Sequence, residues 1–218
     1  HSVDAVSNDA INDGTQSFDG LAPTDTAAPG PPAMLSHMAF ITRDTAAPAD
    51  FFTRIMGMEL ASTIFDDHVP STGDEFPYFH IFFRMADGST LAFFEAPGVP
   101  PPARASHPAY DVFNHIALQA RDREEVLRWA DWLRANGIEV LGPVDHKGII
   151  LSIYFHDPAG IRMEITTPLD PAWNRHTERG HADLKLWLDC KAQAQREGRD
   201  VPAALKAMIA DVRKRYEG

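Results

Sequence analysis

The sequence predicts an α+β fold in which two tandem βαβββ modules form a pseudo-symmetric cleft, with further helices at the C-terminus. Three observations lead to this prediction. Short runs rich in β-branched and aromatic residues alternate with amphipathic helical segments in both halves of the chain. The order of these segments repeats at an offset of about 80 residues, which indicates an internal duplication. After Pro168 the segments have helical periodicity and no counterpart in the first half.

The composition is that of a globular protein and argues against two classes of partner. The chain has 218 residues, of which 44% are hydrophobic and 23% are charged, and its formal net charge is −11. This acidic balance argues against nucleic acid or an anionic membrane as a partner, and no apolar run approaches the length of a membrane span. Cys190 is the single cysteine, so an intramolecular disulfide is excluded and a reducing, cytoplasmic location is expected. The sequence begins at His1 rather than Met, which is compatible with removal of a preceding segment.

The first half consists of an arm and the first module. Residues 1–33 are rich in Asp, Ser, Gly and Pro, and they are expected to form a flexible arm because they offer little to bury. Within the first module, residues 34–97, Asp44 or Thr45 is expected to cap a helix that ends at Met56, and Gly57 to stop it. Strands are predicted at residues 34–42, 58–65, 76–85 and 89–96.

The second half repeats this order after a proline-rich linker, residues 98–110. In the second module, residues 111–168, the predicted helix covers residues 123–135. The predicted hairpin has strands at 149–155 and 161–167, joined by the turn Asp157-Pro158-Ala159-Gly160. Residues 169–218 are predicted to form a loop and then helices at 182–197 and 202–216. These helices are expected to pack against the core, and the alternatives are that they cover the cleft or contact a second copy.

The duplication places two histidines and two glutamates at matching positions of the sequence. Ser36-His37-Met38-Ala39 aligns with Asn114-His115-Ile116-Ala117 at the start of each module. Phe93-Phe94-Glu95-Ala96 aligns with Arg162-Met163-Glu164-Ile165 in the last strand of each module. If the two sheets face one another, these four side chains converge in the cleft.

Two imidazoles with one or two carboxylates form a ligand set for Fe(II), Mn, Ni, Co or Zn. The arrangement of two histidines and one carboxylate is used by non-haem Fe(II) oxygenases. Glu164 is the most informative member, because it lies between Met163 and Ile165 in a strand expected to be buried, where an unpaired carboxylate is costly. Taken alone, Glu164 is also compatible with a solvent-facing position or an ion pair with Arg162.

The paired modules with these residues resemble the vicinal oxygen chelate superfamily. This superfamily includes extradiol ring-cleavage dioxygenases, glyoxalase I, and bleomycin and fosfomycin resistance proteins. The resemblance covers residues 34–168. Residues 144–164 are also similar to the extradiol dioxygenase signature, with His146, Ile153-Tyr154, the Asp157-Pro158-Ala159-Gly160 turn and Glu164 in the expected order.

The resemblance to extradiol enzymes implies that His37, His115 and Glu164 bind Fe(II). It also implies that His146 and Tyr154 hold the substrate hydroxyl and stabilise charge on oxygen. The expected partners are O2 and a small aromatic or vicinal-oxygen substrate, and a homodimer is compatible with the fold. The strand at residues 89–96 lacks the catalytic histidine usual in extradiol enzymes, and His80 on the neighbouring strand is the candidate to replace it.

Two other functions remain open at this point. In glyoxalase I-like members, a glutamate at the position of Glu95 is a fourth metal ligand. The metal would then polarise an enediolate while Glu95 or Glu164 moves a proton. The other function is a ligand-sequestering resistance protein, which is less favoured because such proteins generally lack metal ligands.

Overall fold

The computed structural model describes residues 29–102 and 107–216. The predicted N-terminal arm lies almost entirely outside the described residues, as do residues 103–106 of the predicted linker. The chain from Ser36 onward forms one compact unit. None of the helices in the described part of the chain combines the length and the apolar character that crossing a membrane requires.

Two mixed four-stranded sheets form the frame of this unit. The first sheet has the order β1-β4-β3-β2 and the second has the order β5-β8-β7-β6, so the predicted duplication is confirmed. The strands of the first sheet are β1 (His37–Thr42), β2 (Glu59–Asp66), β3 (Tyr78–Arg84) and β4 (Thr90–Glu95). Those of the second sheet are β5 (Ile116–Gln119), β6 (Leu141–Asp145), β7 (Ile150–His156) and β8 (Arg162–Pro168). In each sheet the first strand pairs in parallel with the last, and the other pairs are antiparallel.

The helix of each module covers one face of its sheet. In the first module, α1 (Ala46–Asp50) continues as a π-helix (Phe51–Ile55). In the second module, α3 (Arg123–Ala135) begins where Asp122 accepts a hydrogen bond from the Glu125 backbone N–H at 2.8 Å. The buried residues of α3 recur at helical spacing, and they are Val126, Ala130 and Leu133. A short helix missed by the sequence prediction, α2 (Pro108–Phe113), begins at the end of the predicted linker.

One hydrophobic core joins the two modules through these helix-covered faces. Phe52 of the π-helix packs against Phe83 and Phe93 of the first sheet, with ring centroids 5.5 and 5.3 Å apart. Phe51 reaches Phe155 of the second sheet at 6.4 Å. The Trp132 indole N–H of α3 donates to the Ile55 carbonyl at 2.8 Å. All five of these phenylalanines belong to the same buried cluster, so the modules share a core rather than packing as separate domains.

Side chains alternate between the two faces of a strand, so each sheet has one face toward this core and one away from it. We call the face that packs on the shared core the helix face and the opposite face the open face. The residues of the helix faces include Met38, Phe40, Ile81, Phe83, Leu91, Phe93, Ile116, Leu118, Leu151, Ile153, Phe155, Met163 and Ile165. The open faces therefore carry the residues between them in sequence, including every candidate metal-binding histidine.

The C-terminal helices differ from the sequence prediction in their packing. α4 (Thr177–Arg196) and α5 (Val201–Tyr216) form a hairpin whose contacts are mainly between the two helices. Ala194 of α4 and Ala204 of α5 are buried, whereas Leu184 and Leu188 are exposed. The expectation that these helices pack against the core is wrong, because in the described part of the chain the shared core cluster includes no residue of α4 or α5.

Candidate functional site

A histidine and a glutamate of the second module lie in direct contact on the open face. His115 precedes β5, and Glu164 lies in the middle of β8, where Ala117 is its parallel strand partner. The distance between His115 Nε2 and Glu164 Oε2 is 2.9 Å. Glu164 is only 4% exposed, so the carboxylate predicted to be out of place in an apolar strand is buried and paired with His115 rather than with Arg162.

Further hydrogen bonds fix the orientation of this pair. His115 Nδ1 lies 2.7 Å from the Phe113 carbonyl oxygen, which requires Nδ1 to carry the proton, so Nε2 is the ring nitrogen that could bind a metal. The Ser152 hydroxyl of β7 donates to Glu164 Oε1. His115 and Glu164 are therefore each oriented by a further hydrogen-bond partner, as is usual for metal ligands in proteins.

The His115 and Glu164 pair has the geometry of two neighbouring metal ligands. Metal–ligand bonds to imidazole nitrogen and carboxylate oxygen are about 2.0–2.2 Å long, so adjacent ligands at a right angle are about 3 Å apart. The observed separation of 2.9 Å fits this value. Residues of this type at this distance fit a divalent transition metal.

Tyr154 and His146 form a second pair beside the first. Tyr154 of β7 is the antiparallel strand partner of Glu164, and its hydroxyl lies 2.7 Å from His146 Nε2. Burial, reinforced by the nearby negative charge of Glu164, raises the pKa of the Tyr154 phenol. The phenol is therefore a protonated hydrogen-bond donor at neutral pH. The sequence predicted both residues, and the structure brings them together next to Glu164.

His37 lies at the equivalent position on the open face of the first sheet, in a different environment. Its ring is exposed and meets Phe82 edge-on at 5.7 Å, and its Nδ1 lies 3.1 Å from the Ser36 hydroxyl. His80 of β3 is only 6% exposed. Its ring stacks on Phe94 at 3.5 Å, and its Nε2 has no hydrogen-bond partner among the described residues. Burial, followed by the neighbouring His37, lowers the pKa of His80.

The predicted equivalence of Glu95 and Glu164 is wrong, because the strand register differs from the sequence alignment by three residues. Ala117 pairs with Glu164 in the second sheet, and the equivalent Ala39 pairs with Ala92 in the first. Glu95 lies three residues beyond Ala92, on the other face of β4. There its Oε1 accepts a hydrogen bond of 2.8 Å from the Thr45 backbone N–H at the start of α1.

The predicted convergence of all four residues in one cleft is also not found within this chain. In the described residues, one group of three His, Cys, Asp or Glu side chains has ligand atoms within 4.8 Å of one another, and it is Asp66, Asp67 and His68. His37 and the His115–Glu164 pair instead lie on open faces that point away from the shared core. The pseudo-symmetric modules pack through their helix faces, which is why the site-bearing faces do not enclose one cleft.

The Asp66-Asp67-His68 group is a surface turn distant in sequence from the candidate site. His68 Nδ1 lies 2.7 Å from Asp67 Oδ1 and 3.2 Å from Asp66 Oδ1. The hydrogen bond to Asp67, followed by the charge of Asp66, raises the pKa of His68. These ion pairs account for the group.

A cavity of about 640 Å³ opens beside His115. Its wall is mostly apolar and includes Met38, Phe40, Phe113 and Ile161. Arg162 lines the same cavity and places its guanidinium carbon 4.1 Å from the centre of the Tyr154 ring. Sequence reasoning did not assign Ser152 or Arg162 to the site. Ser152 carries the same signal as Glu164, namely one polar residue between buried Leu151 and Ile153.

A comparison with family models identifies the chain's relatives. The model of the glyoxalase/bleomycin resistance protein/dioxygenase superfamily matches residues 34–165. The chain belongs to this superfamily. The resemblance inferred from the repeated modules is therefore confirmed at the level of the superfamily.

Several solved structures are similar to this superfamily member. A glyoxalase/dioxygenase from Nostoc punctiforme is 25% identical, with a TM-score of 0.47 over 67% of this chain and 99% of that one. The fosfomycin resistance protein FosX from Listeria monocytogenes, solved with Mn(II) and 1S,2S-dihydroxypropylphosphonic acid, is 25% identical, with a TM-score of 0.43 over 61% and 90%. Lactoylglutathione lyase from Agrobacterium tumefaciens is 23% identical, with a TM-score of 0.44 over 63% and 95%. No match was found among curated protein sequences.

Proposed function

We propose that this protein is a metal-dependent extradiol-type dioxygenase, which uses O2 to cleave a catechol-like aromatic substrate. The observation that carries the proposal is the 2.7 Å contact between His146 Nε2 and the Tyr154 hydroxyl, beside the buried Glu164. Ring cleavage requires a hydrogen-bond donor and a proton acceptor next to the metal, and this pair supplies both.

His37, His115 and Glu164 are the proposed ligands of one divalent ion. Fe(II) is proposed as the native metal, with Mn, Ni, Co or Zn as alternatives. Two histidines and one carboxylate leave open positions on the metal. Ala92, which occupies the place of a second carboxylate, supports this count. When bound, Fe(II) would supply positions at which the vicinal oxygens of a catechol and O2 meet.

The chain's own residues would hold the substrate and move its proton. Because the pKa of Tyr154 is raised, its hydroxyl keeps its proton and can donate to charge that develops on oxygen. His146 Nε2 can take up a proton that the substrate hydroxyl releases, directly or through the Tyr154 hydroxyl.

We further propose that His37 reaches this metal from a second copy of the chain. Within one chain, the ligand atoms of His37 and of the His115–Glu164 pair do not form a group within 4.8 Å. Both lie on exposed faces opposite the shared core. A two-fold dimer would bring the open face of one copy's first sheet against the open face of the other copy's second sheet. The aromatic residues Phe82 and Phe94 would then form the wall that contacts the substrate ring.

The test of the function is anaerobic reconstitution with Fe(II), followed by measurement of O2 uptake over a panel of catechols. We expect O2 consumption that depends on both the metal and the catechol. Tyr154→Phe should keep the metal and lose roughly 100-fold in turnover, because one donor to a developing negative charge is removed. Catalysis of a vicinal-oxygen substrate that is unaffected by removal of O2 would overturn the proposal in favour of glyoxalase-type chemistry.

The test of the shared site is complementation between two inactive variants. His37→Ala and Glu164→Ala are expected to be inactive alone. When they are mixed under conditions that allow subunit exchange, random pairing gives mixed dimers with one intact site, and roughly a quarter of the activity should return. Mixed variants that stay inactive despite demonstrated exchange would show that both groups act within one chain.

A further inference from the structure

One cation on the open face of the second sheet has no role in the proposed chemistry. Arg162 is half-buried on β8, two residues from Glu164 and on the same face. Its Nη1 donates to the Val112 carbonyl at 2.7 Å, and its guanidinium lies over the Tyr154 ring at 4.1 Å. These two contacts hold the side chain in place without neutralising its charge.

Arg162 is not ion-paired among the described residues, although the protein is strongly acidic and Asp111 lines the same cavity beside His115. Within residues 29–102 and 107–216, no carboxylate forms an ion pair with Arg162. Most of the arginines that do form ion pairs have partners nearby in sequence, as Arg54 has Asp50. The neighbouring carboxylate Glu164 is taken by His115 and Ser152. The chain's formal net charge is −11, so acidic partners are abundant, and yet this guanidinium is oriented by a carbonyl and an aromatic ring instead.

The distance between Arg162 and the proposed metal-binding residues determines the length of a substrate that could contact them at the same time. Residues two apart on a strand point to the same side and are separated by about 7 Å along the strand. That is about the length of one aromatic ring with a substituent. The Arg162 guanidinium lies over the ring of Tyr154, which is the strand partner of Glu164, so a small ligand beside Glu164 on the open face can also contact Arg162.

We propose that the substrate of this site carries an anionic group, a carboxylate or a similar oxyanion, which binds the Arg162 guanidinium. This inference rests on the proposed function for the identity of the other end of the ligand, an aromatic ortho-diphenol. A guanidinium that is already oriented loses little side-chain entropy on binding and presents a planar set of donors that matches a carboxylate. Arg162 is therefore a specificity-determining residue, and it selects a catechol with an acidic substituent over a neutral one.

The test compares two ligands of the same shape and different charge. 3,4-Dihydroxybenzoate and 3,4-dihydroxybenzamide are titrated calorimetrically into the full chain, loaded with Fe(II) under anaerobic conditions, or metal-free if no metal loads. We expect the carboxylate to bind at least roughly 10-fold more tightly than the amide, the typical effect of one charge-assisted hydrogen-bonded contact. Arg162→Gln should remove this preference by weakening only the carboxylate, and Arg162→Lys should restore part of it.

The matched control is Arg43→Gln. Arg43 also donates to a single backbone carbonyl, that of Val99 at 2.8 Å, but it does not line the cavity beside His115, so the preference should survive its replacement. Equal affinities of the two ligands for the wild type, or a preference that persists in Arg162→Gln, would overturn the inference. An equal loss of affinity for both ligands in Arg162→Gln would also overturn it, because a purely structural role of Arg162 would give that result.

The outcomes separate this inference from the proposed function. A preference that depends on Arg162 without any catechol-dependent O2 uptake would support the inference and reject the dioxygenase. Rapid O2 uptake with neutral catechols and no preference for the carboxylate would support the dioxygenase and reject the inference.

Discussion

The open faces of the two sheets have the same topology and opposite chemistry. Matching strand registers pair each position of the first sheet with one of the second. The equivalent positions, first sheet before second, are His37 and His115, His80 and Ser152, Phe82 and Tyr154, Ala92 and Glu164, and Phe94 and Thr166. Of these pairs, only the histidines are shared, and Ser152, Tyr154, Glu164 and Thr166 of the second sheet correspond to a histidine, a phenylalanine, an alanine and a phenylalanine of the first.

This difference indicates that the two modules would contribute different groups to the proposed site. The second sheet keeps the charged and hydrogen-bonding groups, in which Ser152 and His115 hold Glu164. The first sheet carries two imidazoles, His37 and the buried His80, among apolar rings, of which Phe82 lies 5.7 Å from His37 and 4.1 Å from His80. A metal bound between such faces would have His115, Glu164 and the proposed proton-transfer groups on one side, and His37 within a hydrophobic wall on the other.

The largest effect is expected when the polar face is made like the apolar one. Glu164→Ala gives the second sheet the residue that the first has at Ala92, and it removes the buried carboxylate that is proposed as a metal ligand. Since loss of a supporting partner alone costs 10- to 100-fold in metal affinity, loss of Glu164 should cost more than roughly 100-fold, and Ser152→Ala should fall within that range. Equilibrium dialysis with Fe(II) or Zn(II) measures both values.

A matched control is Thr90→Ala, which removes an open-face hydroxyl of the first sheet next to His37 in register. It should leave the metal affinity unchanged. Wild-type affinity in Glu164→Ala would remove Glu164 from the ligand set.

A smaller effect, on stability rather than on metal affinity, is expected at His80, which occupies the position in the first sheet that Ser152 has in the second. Its Nε2 is buried without a partner in the described part of the chain, and its pKa is lowered by burial and by His37. The unfolded chain therefore binds a proton at higher pH than the folded one. Stability should fall as the pH drops below about 6.5, the ordinary value for histidine, toward the lower folded pKa, and it should be fully present above that value.

His80→Phe tests this in thermal unfolding between pH 5 and 8. Because phenylalanine has a similar shape and no orphaned nitrogen, the variant should be at least as stable as the wild type at pH 8, by up to about 1–3 kcal/mol, and its melting temperature should depend less on pH. An unchanged pH dependence would show that His80 does not control it.

Most of the helices and strands were predicted from the sequence, with α2 as an exception, but the tertiary arrangement was not. The bounds predicted for α3, residues 123–135, agree with the observed ones, and its buried residues Val126, Ala130 and Leu133 recur at the helical spacing on which the prediction rested. The neighbourhood of Tyr154, His146 and Glu164 followed from one hairpin, in which local spacing determines the pairing. Glu95 was assigned to the wrong face because an alignment of short apolar strands tolerates a shift of three residues, and an odd shift exchanges the two faces of a strand.

The way in which the two modules pack could not be predicted from the sequence repeat. Two equal modules can meet through their helix faces or through their open faces, and the apolar residues at both faces of the first sheet are compatible with either. The contact of Phe51 with Phe155 depends on side chains far apart in sequence. The same holds for α4 and α5, whose apolar spacing predicts helices but does not identify the surface that each one contacts.

The smallest effect, a slight loss of stability, is expected at Glu95. Comparing it with Glu164 distinguishes the roles of the two glutamates most directly. Glu95 lies on the helix face, where it accepts a hydrogen bond from the Thr45 N–H at the beginning of α1. Glu95→Gln keeps an oxygen acceptor there but removes a negative charge from a helix N-terminus. The free energy of unfolding should therefore decrease by about 0.3–1 kcal/mol, with no change in metal content. Glu164→Gln should reduce metal binding severely. Parallel urea unfolding and metal analysis of the two variants measure both quantities, and a loss of metal in Glu95→Gln as large as in Glu164→Gln would show that Glu95 leaves α1 to become a fourth ligand.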